Sequence, residues 1–437
     1  MNQETIGKYR WTICSLVFFA TTINYLDRQV ISLVVEDYLT PEFKWTETDY
    51  ANITAAFQFT YAFALFFAGR IIDYLGTRIG YALSLILWSI SAMGHALIRS
   101  TTGFFIARGA LGATESGNFP AAIKVVAEWF PQKERALATG LFNSGANIGA
   151  IIAPLIVPFI AKEWGWRSAF FITGAIGLIW LIFWFIYYEV PQRQKRLSKA
   201  ELDYINAGDQ IQEKIVESGK EPRIGYGQML GFRQTWAFVL GKFLTDGIWW
   251  FYLFWLPKFL KAEYGLTKDD ISFPIALVYI IAAVGSIFGG WLPMNLIKKG
   301  WPVFKARKIS MLIYACCALP VVTAQWLGTF DMWYAILIIG FAASAHAAWS
   351  ANIFTTVSDM FPKSAVGTVT GLGGMAGGVG GILISKLAGY LFDYYKELGH
   401  IQTGYFIVFI VCGLAYLTAW SIMHWLVPKM KPIDFNK

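Results

Sequence analysis

The chain has 437 residues, of which 56% are hydrophobic, 17% aromatic and only 15% charged. A soluble domain needs more polar surface than this composition supplies, so we exclude a soluble protein and predict an integral membrane protein. The formal net charge of +8 reflects basic loops at one membrane face, and we therefore expect no nucleic-acid partner.

Apolar stretches recur along the chain, and each is long enough to cross a hydrocarbon core of about 30 Å as a helix. They lack the short alternating pattern of a membrane β-barrel. We predict an all-α integral membrane protein whose twelve transmembrane helices lie in a lipid bilayer. The predicted spans are residues 9–33, 50–72, 78–98, 101–128, 134–161, 167–188, 235–259, 271–296, 308–327, 331–357, 364–392 and 402–427.

Loop charges predict the orientation. Most Lys and Arg residues outside the spans lie in loops on the side of the two termini, so the positive-inside rule predicts cytoplasmic termini.

The first span carries Asp27 and Arg28 in place of a small-residue cleavage site, so we expect no removable signal peptide. The four cysteines lie in apolar spans without metal-ligand spacing, and we predict neither a disulfide nor a metal site.

One long polar stretch, residues 189–234, divides the predicted spans into six and six. The predicted domains are an N-terminal half (1–188), a cytoplasmic linker (189–234) and a C-terminal half (235–437). In the linker, LSKAELDYI predicts a helix that is capped by Ser198. Residues 128–150 align without gaps to 359–381, which indicates a parallel internal repeat. Such repeats place a substrate site between the halves.

Five basic residues lie inside the predicted spans, where a charge is costly and usually functional. Arg28 and Arg108 are accompanied by Asp27 and Glu115, so fixed cations occur beside groups that can exchange protons. This combination predicts the transport of an organic anion together with protons. The five basic residues are Arg28, Arg108, Lys124, Lys242 and Lys386.

Several strings resemble a known transporter family. GRIIDYLGTR (69–78) resembles the signature that follows span two in the major facilitator superfamily, although Tyr74 replaces the usual Arg. Four other strings resemble its anion:cation symporter branch, and within it the bacterial hexuronate transporters. They are NYLDRQ (24–29), ARGALGATESGNFPAAIKVVAEWFPQKERALATG (107–140), KFLTDGIWWFYLFWLPKFL (242–260) and HAAWSANIFTTVSDMFPKSAVG (346–367).

The resemblance covers nearly the whole chain and implies a function. It implies two six-helix halves in the cell (inner) membrane that import a sugar acid anion, such as galacturonate or glucuronate, by proton symport with alternating access. It implies no cofactor, and we expect the monomer to be the functional unit. The alternatives that remain are a symporter of another organic anion (aldonate, aldarate or other carboxylate), sodium coupling, and a sensor that does not transport.

A membrane enzyme is a further class that we considered. It would need a nucleophile with its base or a metal cluster, whereas the four His residues are scattered over separate segments. We therefore predict that the chain is not an enzyme.

The charged residues are the first candidates for the site. We predict that Arg28 and Arg108 bind the substrate carboxylate, because arginine stays charged and presents a planar fork of donors. We predict that Asp27 and Glu115 carry protons, because a carboxyl group takes up and releases a proton when nearby charge changes. In the resembling symporters these positions are functional. A purely structural ion pair remains the alternative.

Aromatic and amide residues complete the predicted substrate site. The resemblance implies that Tyr25 and Tyr61 line it. His346 offers a ring nitrogen to a hydroxyl group, Trp349 a stacking surface, and Asn352 an amide. Plain packing is the alternative for these three.

Residues of lower rank lie in spans five and seven. Asn143 and Asn147 are one turn apart in span five, and Trp249 is in span seven. Lys242 and Asp246 are four residues apart on one helical face, so a simple intrahelical pair also explains them.

We predict a cytoplasmic gate formed by Gly69, Asp73 and Arg78 at the end of span two. Lys124 and Lys386 lie near helix ends, and we expect both to reach the membrane interface with their charged groups.

Overall fold

The computed structural model describes residues 6–207, 225–266, 270–429 and 431–433, and all regular structure in these ranges is helical. The long helices are α1 (Tyr9–Val34), α2 (Glu47–Leu75), α3 (Thr77–Gly94), α4 (Thr101–Glu115), α5 (Asn118–Trp129), α6 (Gln132–Trp164), α7 (Trp166–Tyr187), α8 (Lys199–Asn206), α9 (Arg233–Tyr264), α10 (Ser272–Lys298), α11 (Val303–Ala318), α12 (Met332–Met360), α13 (Val366–Glu397) and α14 (Ile401–Leu426). Shorter helical turns occupy Val35–Leu39, Thr40–Phe43, His95–Leu97, Pro191–Arg193, Tyr226–Gly231, Leu319–Thr323 and Ala324–Gly328.

Nine segments among the described residues are long and apolar enough to cross a membrane. They correspond to α2, α3, α6, α7, α10, α11 with the turns after it, α12, α13 and α14. The three other predicted spans coincide with α1, with α4 and α5, and with α9. Buried charged residues lower the mean hydropathy of α1, whereas α4 and α5 are each shorter than a membrane span because the chain turns between them. The count of twelve therefore stays a prediction.

Local sequence explains several helix ends. The Ser198 side chain accepts a hydrogen bond from the Glu201 amide at 3.2 Å, so the predicted cap of α8 is confirmed. Residues 208–224 of the predicted linker lie outside the described ranges. The fourth predicted span is not one helix, because the chain turns at Ser116 and Gly117 between α4 and α5. A Cβ at Gly117 would collide with the Ser84 hydroxyl on α3, so glycine is needed there.

Helices α1–α7 form an N-terminal half and α9–α14 a C-terminal half, and the two meet through α2 with α13 and α6 with α10. A Cβ at Gly69 would collide with the Gly367 carbonyl, and one at Gly140 with the Ser286 carbonyl. Glycine at these positions lets the helix backbones approach closely. The inter-half packing therefore depends on small residues.

Polar contacts join the halves at the face that carries α8 and both ends of the described chain, which we call the closed face. The Arg135 side chain donates to the Ser358 carbonyl at 2.6 Å and lies 3.4 Å from the Asp359 carboxylate. Arg307 bonds to the same carboxylate and donates to the Gln132 carbonyl at 2.5 Å. One buried carboxylate of the C-terminal half thus binds arginines of both halves.

Candidate functional site

A cavity lies between the two halves. On the side of the closed face, the rings of Phe119 and Phe354 stack across the halves with centroids 5.6 Å apart. Both halves supply polar groups to the wall. The lining residues are Tyr25, Arg28, Gln29, Tyr61, Leu65, Phe119, Asn143, Ala146, Asn147 and Ala150 from the N-terminal half, and Lys242, Asp246, Trp249, Trp250, Tyr279, His346, Ala347, Ser350, Phe354, Thr370, Gly374 and Gly378 from the C-terminal half.

Arg28 and Glu115 form an ion pair between α1 and α4. The Arg28 Nε and Nη2 atoms lie 3.1 and 2.9 Å from the same carboxylate oxygen, Oε2 of Glu115. The other oxygen, Oε1, is buried and has no hydrogen-bond partner among the described residues. The pair thus leaves one carboxylate oxygen that can accept a proton, while Arg28 still lines the cavity.

Aromatic rings surround the Arg28 guanidinium. Its Cζ atom lies 4.6 Å from the ring centroid of Tyr25, 4.8 Å from that of Tyr61 and 5.0 Å from that of Phe57. At these distances the ring faces attract a cation and restrict the orientation of the guanidinium. Both predicted tyrosines therefore lie at the cavity, beside the predicted arginine.

Arg108 and Asp27 lie outside the cavity lining. Arg108 is buried, donates from Nη2 to the Arg28 carbonyl at 3.3 Å, and packs its guanidinium on Phe57. Its Nε and Nη1 atoms and both Asp27 carboxyl oxygens have no hydrogen-bond partner within the described ranges. The structure therefore brings Arg28, and not Arg108, to the cavity, and the substrate role of Arg108 stays a prediction.

The C-terminal half presents a second ion pair. Lys242 Nζ lies 2.6 Å from the Asp246 carboxylate, one turn away on α9, as the spacing of the two residues indicates. The same ammonium lies 3.9 Å from the ring centroid of Phe354. Both charged residues line the cavity, in the part of the wall that the C-terminal half supplies.

His346 is held by aromatic neighbours at the cavity wall. Its Nδ1 atom lies 2.7 Å from the Tyr416 hydroxyl, and the Trp249 ring stacks on the imidazole with centroids 5.2 Å apart. Because Nδ1 makes this hydrogen bond, the other ring nitrogen, Nε2, is left for a different partner. Both predicted residues, His346 and Trp249, therefore lie at the cavity.

Trp349 and Asn352 do not line the cavity. Trp349 is fully buried and its ring packs edge-on against Tyr416. The Asn352 amide donates to the Gly289 carbonyl at 2.6 Å and to the Ala348 carbonyl at 3.0 Å. These contacts tie α12 to α14 and to α10 within the C-terminal half, so they favour the packing alternative for both residues.

The two asparagines of α6 lie at the cavity. Asn143 also donates to the Ser286 hydroxyl at 3.2 Å, and that hydroxyl donates to the Gly140 carbonyl at 2.9 Å. Asn143 is therefore both a lining residue and a contact between the halves, whereas Asn147 is a buried lining residue.

The three residues of the predicted gate have different contacts. Asp73 accepts bonds from the Thr368 amide at 2.7 Å and hydroxyl at 2.6 Å, across the halves. Gly69 allows the close backbone contact described above. Arg78 instead pairs at 2.5 Å with Glu189, two residues after the end of α7. Of the three, only Gly69 and Asp73 make a described inter-half contact.

The ammonium group of Lys124 is enclosed by protein, which corrects the expectation from its position near a helix end. Lys124 is buried and its ammonium lies 2.9 Å from the Asp73 carboxylate. The expectation failed because α5 is packed between α2 and α13, and such packing is not visible in a single helical segment.

Sequence reasoning missed several lining residues, and one of them had a signal in the helical period. Phe354 follows His346 by eight residues, or about two turns of α12. Phe119 had no such signal, because α4 ends at Glu115 and the chain turns before α5 begins. Gln29 follows Arg28 directly. Tyr279 on α10 had no signal that we can identify in the sequence.

Known proteins resemble the chain over most of its length. Residues 17–385 match the family model described as Major Facilitator Superfamily. A hexuronate transporter of Escherichia coli K12 is 33% identical over 433 residues, which cover 98% of this chain and 96% of the relative. A galacturonate transporter of Dickeya chrysanthemi is 35% identical over 341 residues, covering 78% and 95%.

Solved structures agree in fold. A proton:xylose symporter bound to 6-bromo-6-deoxy-D-glucose superimposes with a TM-score of 0.71 at 18% identity and covers 97% of each chain. The human organic anion transporter MFSD10 gives a TM-score of 0.68 at 15% identity, covering 95% of this chain and 100% of the other. Together with the family match, these findings place the chain in the Major Facilitator Superfamily, a family of membrane transporters and not of enzymes.

Proposed function

We propose that the chain imports a hexuronate anion by proton symport with alternating access. The observation that carries the proposal is the Arg28–Glu115 pair at the wall of the cavity between the halves. A guanidinium that is largely buried and surrounded by aromatic rings is suited to a carboxylate ligand. The 33% identity to a hexuronate transporter supports a sugar acid as the substrate whose carboxylate binds Arg28.

Proton coupling follows from competition for Arg28. While Glu115 is ionised, it occupies two donors of the guanidinium. A proton on the free Oε1 atom neutralises the carboxylate, weakens the ion pair and frees Arg28 for the substrate carboxylate. Asp27 is the second proposed proton carrier, because it is buried and has no hydrogen-bond partner among the residues that the structure describes, which disfavours its charged form.

Alternating access requires the contacts at the closed face to break. We propose twelve spans in the inner membrane, with the closed face in the cytoplasm and the residues 1–188 and 235–437 rocking against each other as halves. The state described by the structure then has its cytoplasmic side shut by the contacts of Asp73 and Asp359. Substrate and protons would be released to the cytoplasm when these contacts open.

Uptake by proteoliposomes tests the proposal. Vesicles that contain the purified chain and carry an inward proton gradient should accumulate labelled galacturonate or glucuronate above the outside concentration. Dissipation of the gradient should abolish accumulation. Preferential uptake of neutral hexoses, or accumulation that follows a sodium gradient alone, would contradict the proposed substrate class or coupling ion.

An aldonate is the second candidate substrate. A D-galactonate transporter of Escherichia coli O6:H1 is 28% identical over 402 residues, covering 90% of this chain and 92% of the relative. Both substrate classes have one carboxylate and several hydroxyl groups, so the same cavity suits either. Competition between galacturonate and galactonate for uptake ranks them directly.

A further inference from the structure

A groove with basic walls lies at the closed face, between the start of α11 and the end of α14. Its volume is about 750 Å³, whereas the central cavity has about 130 Å³. The charged residues that line its described part are all basic. The lining consists of Pro302, Phe304, Lys305, Lys308, Ile309, Leu312, Trp420, His424, Pro428, Lys429, Lys431, Pro432 and Ile433.

The C-terminal segment forms one wall of the groove and is anchored at several points. Lys308 Nζ donates to the carbonyls of Val427 and Pro428 at 3.0 and 2.7 Å. The amide of Ile433, whose side chain is buried, donates to the Met360 carbonyl at 3.0 Å. Gln234 donates to the Lys431 carbonyl at 3.2 Å. These bonds hold Lys429 and Lys431 at the rim.

The polarity of the groove changes along its length. On α11, Lys305 lies in the first turn, near the closed face. Leu312 lies about 10 Å farther along the helix, toward the membrane interior. On α14, Trp420 lies about 6 Å from His424 in the same direction. The groove is thus basic at the membrane boundary and apolar toward the membrane interior.

We propose that this groove binds an anionic phospholipid. The phosphate group would lie among Lys305, Lys429 and Lys431, whose side chains are exposed, and an acyl chain would follow Ile309 and Leu312. Basic residues near a membrane surface attract anionic lipids by about 1 kcal/mol each. A free anion would use only the basic end, whereas a phospholipid uses both ends of the groove.

Native mass spectrometry of the full chain in detergent tests the proposal. The protein is titrated with phosphatidylglycerol or phosphatidylcholine, and retained lipid is counted. The wild-type chain should retain phosphatidylglycerol preferentially. The triple variant K305Q/K429Q/K431Q should bind it at least about tenfold more weakly. Lys308 is left unchanged because it anchors the C-terminal segment.

A matched control removes the same charge elsewhere on the closed face. The variant R193Q/K195Q/K199Q changes three exposed residues outside the groove and should retain phosphatidylglycerol like the wild type. Should the triple variant of the groove fail to fold, Lys305→Glu alone, at one exposed position, makes the same test. Equal retention of the two lipids by the wild type, or undiminished retention by the groove variants, would overturn the proposal.

Two competition experiments distinguish a bound lipid from a bound free anion. Inorganic phosphate and glycerol phosphate are added as competitors at the concentration of the lipid. Neither should displace phosphatidylglycerol, because they lack the acyl chains that contact Leu312. Displacement by either at equal concentration would show a site for small anions and would contradict the lipid assignment.

Discussion

The two halves each bring one ion pair to the cavity, but the pairs are built differently. Arg28 and Glu115 come from α1 and α4, so their contact depends on how two helices pack. Lys242 and Asp246 are one turn apart on α9, so their contact is present whenever that helix forms. A change of charge in the first pair alters an ion pair between two helices, whereas a change in the second alters an ion pair within one helix.

This difference assigns different roles to the pairs. Only the interhelical pair can transmit the protonation of a carboxyl group to the packing of α1 against α4. It also leaves one carboxylate oxygen without a partner among the described residues. We therefore expect the pair in the N-terminal half to couple protons to substrate, and the pair in the C-terminal half to shape the cavity.

The largest effect is expected from Arg28→Lys. Lysine keeps the charge but cannot offer two parallel donors to a carboxylate. Loss of one charge-assisted hydrogen bond of about 1.5–3 kcal/mol should weaken galacturonate binding about ten- to hundredfold. Titration calorimetry on the purified chain measures this change.

Arg108→Lys is the matched control for that experiment. Arg108 is buried behind Arg28 and does not line the cavity, so its substitution should weaken binding less. A larger loss for the Arg108 variant than for the Arg28 variant would support Arg108 as a carboxylate ligand, the role that the sequence predicted for it together with Arg28.

Glu115→Gln should separate binding from coupling. Glutamine resembles the protonated carboxyl group and cannot exchange a proton, so Arg28 would be permanently available to substrate. We expect exchange of galacturonate across proteoliposomes to continue while accumulation driven by a pH gradient is lost. Counterflow and gradient-driven uptake are measured on the same vesicles. Normal accumulation would show that the coupling proton is carried elsewhere.

Asp27→Asn should leave binding unchanged but reduce the charge that moves with the substrate. Asparagine is close in shape to a neutral carboxyl group, and Asp27 does not line the cavity. Two protons with one monoanion carry net positive charge inward, which a membrane potential of 100 mV drives with about 2.3 kcal/mol. Currents on a supported membrane should therefore decrease in the variant. Equal currents in variant and wild type would return Asp27 to a structural role.

The sequence predicted contacts within helices better than contacts between them. The spacing of Lys242 and Asp246 predicted their pair correctly. The cation that pairs with Glu115 could not be chosen from spacing, because it depends on the packing of α1 against α4. For the same reason Lys124, which appeared accessible at a helix end, is in fact buried against Asp73.

The helical period also explains why only part of one predicted face lines the cavity. From His346, steps of three residues lead to Trp349 and Asn352, and each step turns the side chain about 60° away from the starting face. Steps of four residues drift by only about 40° and lead to Ser350 and Phe354, which line the cavity. The residues at three-residue steps pack inside the C-terminal half.

The smallest effect is expected from the double substitution Lys242→Met and Asp246→Leu. Replacement of a buried ion pair by apolar residues of similar size is often neutral, whereas removal of one partner leaves an uncompensated charge. If the pair only shapes the cavity, the Kd of the double variant for galacturonate should lie within about threefold of the wild-type value. This corresponds to a change in binding free energy of less than about 1 kcal/mol. Calorimetry and thermal unfolding are measured together.

Lys242→Met alone is the informative control. It leaves the Asp246 carboxylate unpaired at the cavity wall, where it repels the substrate anion, so binding should weaken more than in the double variant. The Asp246 side chain is 19% exposed, so solvent screens part of this repulsion. Equal and large losses in the single and double variants would instead make Lys242 a direct ligand of the substrate. Both halves would then bind the substrate carboxylate, and the two ion pairs would differ in geometry but not in role.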